Sequence, residues 1–567
     1  MGVGEQMLRS IVLLTTFAAI FIAAAAAQPT IASGGILNSA SNAFPGLPNS
    51  SIAQGSIFVM YGTGMGPSAL VEATTFPIPT TLAGTSVSVT AGGQTLPAPM
   101  IYTSAGQVAA ILPSATPAGS AMVTVSYQGA TSAPQSLQVV SSSFGSYSLN
   151  QKGNGSGIIT NAKYQVFLAG SAALAGDPAI LWGTGLGPVS SDVNPPTVAN
   201  LNVPVKVYVG SQLAQVSYQG RSGCCSGLDQ IVFTVPNGVT GCSVPVVVVT
   251  NGDTASNTTT MPIGDDASRV CSDPTGLTAA QVGLLQSKGS LKLGYVDLTR
   301  ISSSNSLLAA LGEGPSTTDS GSATFVEFTP STFAGATFGF QVASVGSCLV
   351  YNFSSANTAS TPTITLPLGL DAGASIDVSG PNGAKQLTEI LQTKGSYSAT
   401  LSSGTPPNTT LYLSPGAYTI DGSGGADVGA FTVNLTVPQP LTWTNMNALV
   451  ATPINRASGV TLDWTGGAPG SYVSISGTSL MVDATGMSGV FALFTCLAPV
   501  AAGSFTVGPN VLLQLPASST ITEDGVSFSF SALSIGNAPL PVQFTAPGLD
   551  YGFATSNVSI STGVTYQ

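Results

Sequence analysis

The sequence predicts an all-β protein made of tandem β-sandwiches, with one short linker helix. A segment of domain length occurs twice, at an offset of 121 to 123 residues. Short apolar or alternating runs recur about every 8–12 residues with glycine or proline between them, as the strands of a sandwich do. The chain holds 67 glycines and 38 prolines, and only 6% of its residues are charged. This composition favours short strands and tight turns.

The duplication rests on three pairs of segments that keep their spacing. They are residues 34–40 and 157–162 (GGILNSA and GIITNA), 55–67 and 176–188 (GSIFVMYGTGMGP and GDPAILWGTGLGP), and 107–129 and 230–252. A repeated unit of this length with strand patterning is typical of an immunoglobulin-like sandwich. We therefore expect one sandwich over residues 28–146 and a second over residues 147–272.

The GTGxGP sequences at 62–67 and 183–188 look like glycine-rich phosphate loops. A phosphate loop needs a helix directly behind it, so that backbone N–H groups point at the anion. Here proline and more polar loop follow, with no helical periodicity. Both sequences are therefore predicted to be turns in which glycine supplies positive φ.

The N-terminus is typical of a secretory signal peptide covering residues 1–27. Arg9 supplies a positive charge, residues 11–27 form an apolar run, and three alanines at 25–27 form a cleavage site. The alternative is an uncleaved membrane anchor, since the run approaches the roughly 17-residue minimum for a span. The mature chain is expected to contain no membrane span.

The negative net charge of the chain argues against nucleic acid and anionic lipid as partners. The formal net charge is −11, and the chain has 12 Lys and Arg against 23 Asp and Glu. Binding to nucleic acid or to anionic lipid needs clustered cations. We therefore expect neither kind of partner.

Beyond the repeats, residues 273–321 are predicted to be a linker that contains the helix, at 277–289. Thr278 and Gln281 can form a capping box, and Gly289 lies where a C-terminal cap belongs. Residues 322–439 and 440–567 are predicted to be two further sandwich-like modules. In the second of these modules, residues 511–515 are predicted to form a strand.

Six cysteines in an exported chain indicate disulfides. Four of them, Cys224, Cys225, Cys242 and Cys271, lie together at the end of the second repeat, and Cys348 and Cys496 stand apart. Neighbouring residues in an extended strand point to opposite faces. Cys224 and Cys225 are therefore expected to bond Cys242 and Cys271, in an order that the sequence leaves open. Cys348 and Cys496 are left as the third pair.

Histidine is absent from the sequence. This excludes Ser-His-Asp and Cys-His catalysis and histidine-ligated metal sites. We expect no enzyme activity, no catalytic residue, no cofactor and no metal site. The segment at 421–427 (DGSGGAD) has the texture of a calcium loop, but a hairpin loop with solvated carboxylates is favoured.

The duplicated region resembles a known family. The motifs that carry the resemblance are GSIFVMYGTGMGP (55–67), PTTLAGTSVSV (79–89), PAPMIYTSAGQVAAILP (97–113) and SGCCSGLDQIVFTVPNGVTGCSVPVVV (222–248). They are similar to the paired immunoglobulin-like repeats of exported proteins from soil Acidobacteria, the Solibacter-type C-terminal domain family. Those repeats are in turn similar to IPT/TIG domains. The resemblance covers about residues 34–264 and implies an exported, non-enzymatic module that presents or supports surface functions.

Together these observations predict a secreted, structural or adhesive interaction protein of the cell surface, periplasm or exterior, with a protein or glycan partner at the envelope. One alternative is a carbohydrate-binding protein that uses Trp443 and Trp464, in which case both rings should be exposed side by side. A further alternative is a carboxylate-type glycosidase, which needs a groove with two carboxylates about 5–10 Å apart.

Overall fold

The computed structural model describes residues 28–304, 316–334, 342–354, 367–404, 410–482, 489–523 and 526–567. The predicted signal peptide at 1–27 lies outside these ranges. Among the residues in these ranges, no helix has both the length and the apolar character needed to cross a membrane.

The first repeat folds into two facing sheets. Its strands are β1 (Thr30–Asn38), β2 (Ile52–Ala53), β3 (Ile57–Thr63), β4 (Val71–Glu72), β5 (Thr81–Leu82), β6 (Thr85–Ala91), β7 (Gln94–Ala98), β8 (Met100–Thr103), β9 (Gln107–Ile111), β10 (Gly119–Tyr127), β11 (Ala130–Thr131) and β12 (Gln135–Val140). One sheet has the order β1-β3-β9-β8-β4, and the other has β2-β12-β10-β6-β5 with β7 and β11 attached.

Alternation along the strands of the first repeat builds its core. In β6 the side chains of Val87 and Val89 are fully buried, whereas Ser86 and Ser88 next to them are only partly buried. They lie opposite Val125 and Val123 of β10. These valines join Phe58 and other residues of the facing sheet in one hydrophobic cluster, so the pattern in the sequence places one face of each strand inward.

The second repeat has a comparable set of strands. They are β13 (Gly145–Ser146), β14 (Ile159–Thr160), β15 (Pro178–Thr184), β16 (Ala199–Asn200), β17 (Val205–Val209), β18 (Gln212–Arg221), β19 (Asp229–Thr234), β20 (Gly241–Thr250), β21 (Thr254–Ala255) and β22 (Thr259–Ile263). Strand β18 is long enough to pair with β19 in one layer and β17 in the other. The protein is thus all-β, with tandem sandwiches at its N-terminal end.

The predicted helix is confirmed. It is α1 (Ala279–Lys288), which starts at the capping box of Thr278 and Gln281 and ends at Gly289 with a φ of 73°. Four shorter helical turns are also described: α2 (Pro330–Ala334), α3 (Met446–Ala451), a 3-10 turn (Val500–Ala502) and α4 (Pro509–Leu512).

The remainder of the chain forms one large sheet with smaller ones beside it. Its strands are β23 (Leu291–Ser304), β24 (Ser316–Phe328), β25 (Ser347–Ser354), β26 (Leu368–Gly369), β27 (Ser375–Gly380), β28 (Gly383–Glu389), β29 (Ser396–Gly404), β30 (Gly416–Gly422), β31 (Phe431–Val437), β32 (Thr442–Trp443), β33 (Val460–Thr465), β34 (Tyr472–Val482), β35 (Gly489–Pro499), β36 (Ser504–Val507), β37 (Thr520–Glu523), β38 (Val526–Ser529), β39 (Ala532–Ala538), β40 (Val542–Phe544) and β41 (Tyr551–Gly563). The large sheet runs β25-β35-β34-β39-β41-β23-β24-β29-β28-β27-β30-β31.

Two expectations for this part of the chain are wrong. The predicted linker at 273–321 contributes β23, which pairs with both β24 and β41 at the centre of the large sheet. The proposed boundary at 439/440 does not separate two sheets, because β25 pairs with β35 and β23 pairs with β41 across it. The alternation of β23 was visible in the sequence, but these long-range pairings were not.

The candidate strand at 511–515 is also wrong. Pro509 occupies the first turn of α4, where the lack of an N–H costs nothing. Leu512 and Leu515 are fully buried in the cluster that contains β33, β34 and β35. An apolar run of this length fits a buried helical turn as well as a strand.

Candidate functional site

The two tryptophans considered as sugar contacts are buried. Trp443 and Trp464 face each other across β32 and β33, and only 7% and 3% of their surfaces are exposed. The Trp443 Nε1 donates to Oδ1 of Asn445 at 2.9 Å, and the Trp464 Nε1 donates to the carbonyl of Val500 at 3.0 Å. Both rings belong to the hydrophobic core around β33–β35, so they form no exposed sugar platform.

The cysteines form three disulfides, of which two differ from the expected pairing. Cys242 bonds Cys271, and Cys224 bonds its neighbour Cys225. The expectation assumed that Cys224 and Cys225 lie in an extended strand, but they lie in the turn between β18 and β19. Cys348 bonds Cys496, its direct partner in the register of β25 and β35.

The GTGxGP turn of the second repeat binds an anion from the chain itself. The backbone N–H groups of Gly185 and Leu186 both donate to Oδ2 of Asp229, each at 2.8 Å. Asp229 is fully buried at the start of β19. Burial raises the pKa of this carboxyl, whereas the nearby Arg221 guanidinium and the two N–H groups act to lower it. The turn therefore presents its amides as a loop that accepts an anion does, although no helix follows.

Arg221 joins this turn to the first repeat. Its Nη1 pairs with Asp229, and its side chain is 5% exposed. Its Nη2 donates to the carbonyl of Gly187 at 3.0 Å and to that of Gly55, in the first repeat, at 2.8 Å. One buried guanidinium thus ties the ion pair and both repeats together.

A second junction connects the second repeat to the large sheet. Asp273 accepts a hydrogen bond from the backbone N–H of Cys242 at 2.8 Å and another from Ser344 Oγ at 3.1 Å. Burial raises the pKa of Asp273 to about 6, against the lowering effect of these two bonds. Nearby, Thr258 Oγ1 and Gln514 Oε1 are 2.9 Å apart and both side chains are buried.

The first repeat also contacts the large sheet directly. Ala43 and Leu47, in the loop after β1, are buried in a small cluster with Val490 of β35. The Cε methyl group of Met481 occupies the space next to Gly46 that a side chain would need. Each of the three parts of the molecule therefore touches both others.

The two carboxylates of the acidic loop at 421–427 bond to different partners. Asp421 accepts from Thr432 Oγ1 at 2.6 Å, and Asp427 pairs with Lys394 at 2.7 Å. Hydrogen bonding from Lys394 lowers the pKa of Asp427. In the part of the chain that the structure describes, no group of three His, Cys, Asp or Glu side chains is placed to hold a metal ion.

One face of the large sheet carries a groove, which we call the polar groove. Its volume is about 630 Å³, and it lies over β23, β41, β39 and β34. Its lining includes many serines, threonines and asparagines but one carboxylate, that of Asp297. Among the described residues, this groove therefore holds no pair of carboxylates of the kind that a glycosidase needs.

No family model matches the chain, and no curated protein sequence matches it significantly. One similar solved structure is the Bacteroides ovatus mixed-linkage glucan utilization locus SGBP-B with a mixed-linkage heptasaccharide. It is 10% identical, over 81% of this chain and 92% of that one, with a TM-score of 0.13. The Escherichia coli adhesin FdeC is 14% identical over 69% and 96%, with a TM-score of 0.14. Domains 5–6 of the S-layer protein SbsC are 10% identical over 41% and 98%, with a TM-score of 0.16. Values this low assign neither a family nor a function.

Sequence reasoning missed the junction residues. Arg221 and Asp229 flank the SGCCSGL segment, and their charges stand out in a chain with so few. In the first repeat, the position 123 residues before Asp229 is Gly106. The sequence therefore indicated the junction in one way: the second repeat carries a charged residue next to its GTGxGP turn where the first repeat has glycine.

Proposed function

We propose that the protein is an exported, non-enzymatic scaffold of immunoglobulin-like modules, which holds its sandwiches in a fixed arrangement and presents their surfaces to a partner at the cell envelope. The observation that carries this proposal is the buried Arg221 guanidinium, which bonds carbonyls of both repeats. A flexible string of domains would place solvated linkers, rather than buried charge pairs, between its modules.

The disulfides support export. All six cysteines are paired, with none free. Disulfides persist in oxidising compartments and are rare where thiols are kept reduced. The three disulfides therefore favour a location outside the cytoplasm for the proposed scaffold.

Export is tested by fractionating producing cells and labelling free thiols before and after reduction. We expect the protein in the envelope or medium, with labelling only after reduction. A cytoplasmic protein with free thiols would contradict the proposal.

Rigidity is tested by small-angle X-ray scattering of the wild type, of Arg221→Met and of Arg269→Met. Arg269 is the matched control, because its ion pair with Asp177 stays within the second repeat at 2.5 Å. We expect a larger radius of gyration for Arg221→Met only. A wild type that already scatters as a flexible chain would refute the fixed arrangement.

A further inference from the structure

The polar groove has the chemistry of a ligand site that the scaffold role does not use. Strand alternation creates it. Val296 and Leu298 of β23 point into the core beneath the sheet, so Tyr295, Asp297 and Thr299 between and beside them line the groove.

Asp297 lies in the groove, and its hydrogen-bond partners among the described residues are hydroxyl groups. Thr555 Oγ1 donates to Asp297 Oδ1 at 2.7 Å, and Thr299 Oγ1 donates to Oδ2. Among the described residues lining the groove there is no lysine or arginine. Burial raises the pKa of Asp297. A ligand meeting this carboxyl would gain most by offering neutral O–H or N–H donors.

Asn557 presents an unused acceptor at the same groove. Its Nδ2 donates to Ser474 Oγ at 3.1 Å, while its Oδ1 is buried without a hydrogen-bond partner in the described parts of the chain. Oδ1 lies above Gly536, where an added Cβ would be only 2.6 Å from it. The side-chain oxygen of Asn537, which is 3% exposed and also lines the groove, is likewise buried without a partner among the described residues.

Unpaired polar groups of this kind destabilise the protein when they are buried from water. A ligand hydroxyl that reached them would offset part of this destabilisation. The serines of β34 and β39 add hydroxyls that donate or accept, with Ser476 and Ser534 2.8 Å apart.

One aromatic ring, that of Tyr295, lines the groove. The Tyr295 ring packs against Phe553, with ring centroids 4.8 Å apart, and Tyr551 stacks on Phe553 at 5.5 Å. All three rings are partly exposed. The Tyr295 ring, next to the hydroxyls and amides of the groove, suits a ligand with both apolar and hydroxyl-bearing faces.

We propose that the polar groove binds a short neutral oligosaccharide, whose hydroxyls pair with Asp297 and Asn557 and whose apolar ring face rests near Tyr295. Its volume falls within the roughly 300–1,000 Å³ of small-molecule sites. The lone carboxylate and the net charge of −11 act against acidic glycans. This proposal goes beyond the scaffold function, which stands whether or not the groove binds sugar.

The test is retention of the full-length exported chain on immobilised neutral gluco-, galacto-, manno- and xylo-oligosaccharides, with uronic-acid oligosaccharides alongside. We expect binding to at least one neutral probe, and about tenfold weaker binding by Asn557→Ala and Asp297→Asn, the loss of about one hydrogen bond to a charged or buried group. Asp297→Asn keeps the size of the side chain, removes its charge and replaces one acceptor oxygen with an NH2 donor, so it tests the groove even if Asn557→Ala folds poorly.

The matched control is Asn434→Ala. Asn434 is an exposed strand asparagine of the same large sheet, hydrogen-bonded to Thr419 at 2.8 Å and outside the groove. It should bind as the wild type does. The proposal is overturned by no retention on any neutral probe, by stronger retention on the acidic probes, or by equal binding of wild type and both groove variants.

Discussion

The two repeats build the same turn with different groups. In the first, the N–H of Met65 in GTGMGP donates to the backbone carbonyl of Ala105 at 3.1 Å. In the second, the N–H of the corresponding Leu186 donates to the carboxylate of Asp229. The backbone acceptor needs no countercharge, but a buried carboxylate does. Arg221 supplies the countercharge and at the same time reaches the first repeat.

The repeats differ again at the first residues of the corresponding strands β10 and β20. Gly119 starts β10 with open space around it, and Ser120 next to it is exposed. Gly241 starts β20 at the corresponding position, but an added Cβ there would lie 2.6 Å from Oδ1 of Asp273. Duplicated sandwiches thus keep their strands while one copy acquires polar contacts that join it to its neighbours.

The largest expected effect on the free energy of unfolding comes from the GTGxGP turn of the second repeat. Asp229→Ala removes the acceptor of two N–H groups and leaves Arg221 buried without a charge partner. We expect a loss of about 3–5 kcal/mol in the free energy of unfolding, measured by urea unfolding with tryptophan fluorescence.

Gly106→Ala is the matched change in the first repeat. The nearest atom to an added Cβ there is the Gly62 carbonyl oxygen at 3.9 Å, so the methyl fits. We expect a change below about 1 kcal/mol. If Asp229→Ala and Gly106→Ala lost the same free energy of unfolding, the ion pair of Arg221 and Asp229 would not stabilise the second repeat.

The next largest effect is the contribution of Asp273 to the pH dependence of the free energy of unfolding. Because its folded pKa is raised to about 6 from 3.8, the folded state holds a proton between these values that the unfolded state has lost. Stability from this group is therefore present at low pH and lost as pH rises towards 6. The shift corresponds to roughly 2–3 kcal/mol.

Asp273→Asn should remove this dependence. The free energy of unfolding is measured for wild type and variant from pH 4 to pH 7. The contributions of the other carboxylates are then the same in both proteins and cancel in the difference. We expect the variant to gain stability relative to the wild type as pH rises. Parallel curves for the two proteins would contradict a buried, protonatable Asp273.

The smallest expected effect is on the stability lost when Trp182 and Tyr61, which occupy equivalent positions in the two repeats, are replaced by phenylalanine. Trp182 donates from Nε1 to the buried Thr160 Oγ1 at 3.0 Å, whereas the Tyr61 hydroxyl makes no hydrogen bond to the described residues. Trp182→Phe should cost about 1–2 kcal/mol, and Tyr61→Phe less than about 0.5 kcal/mol. Calorimetry measures both. A larger loss for Tyr61→Phe would reverse the comparison.

The sequence was most informative where contacts are local. The all-β class, the tandem sandwiches and α1 were predicted, because alternation, capping residues and turn glycines act within a few positions. The pairing of Cys224 with Cys225 was missed because the turn conformation decides it. The burial of Trp443 and Trp464 depends on which sheet face covers them, which one strand's pattern does not reveal.

By itself, the sequence determined that strands form, that a unit is duplicated and that histidine-based chemistry is absent. Only the tertiary structure decided that β23 and β41 pair in parallel, that Arg221 spans two repeats and that the polar groove lies between β23 and β34. These features join residues as many as 260 positions apart, such as Tyr295 and Thr555. Their formation depends on long-range packing, which short-range periodicity does not encode.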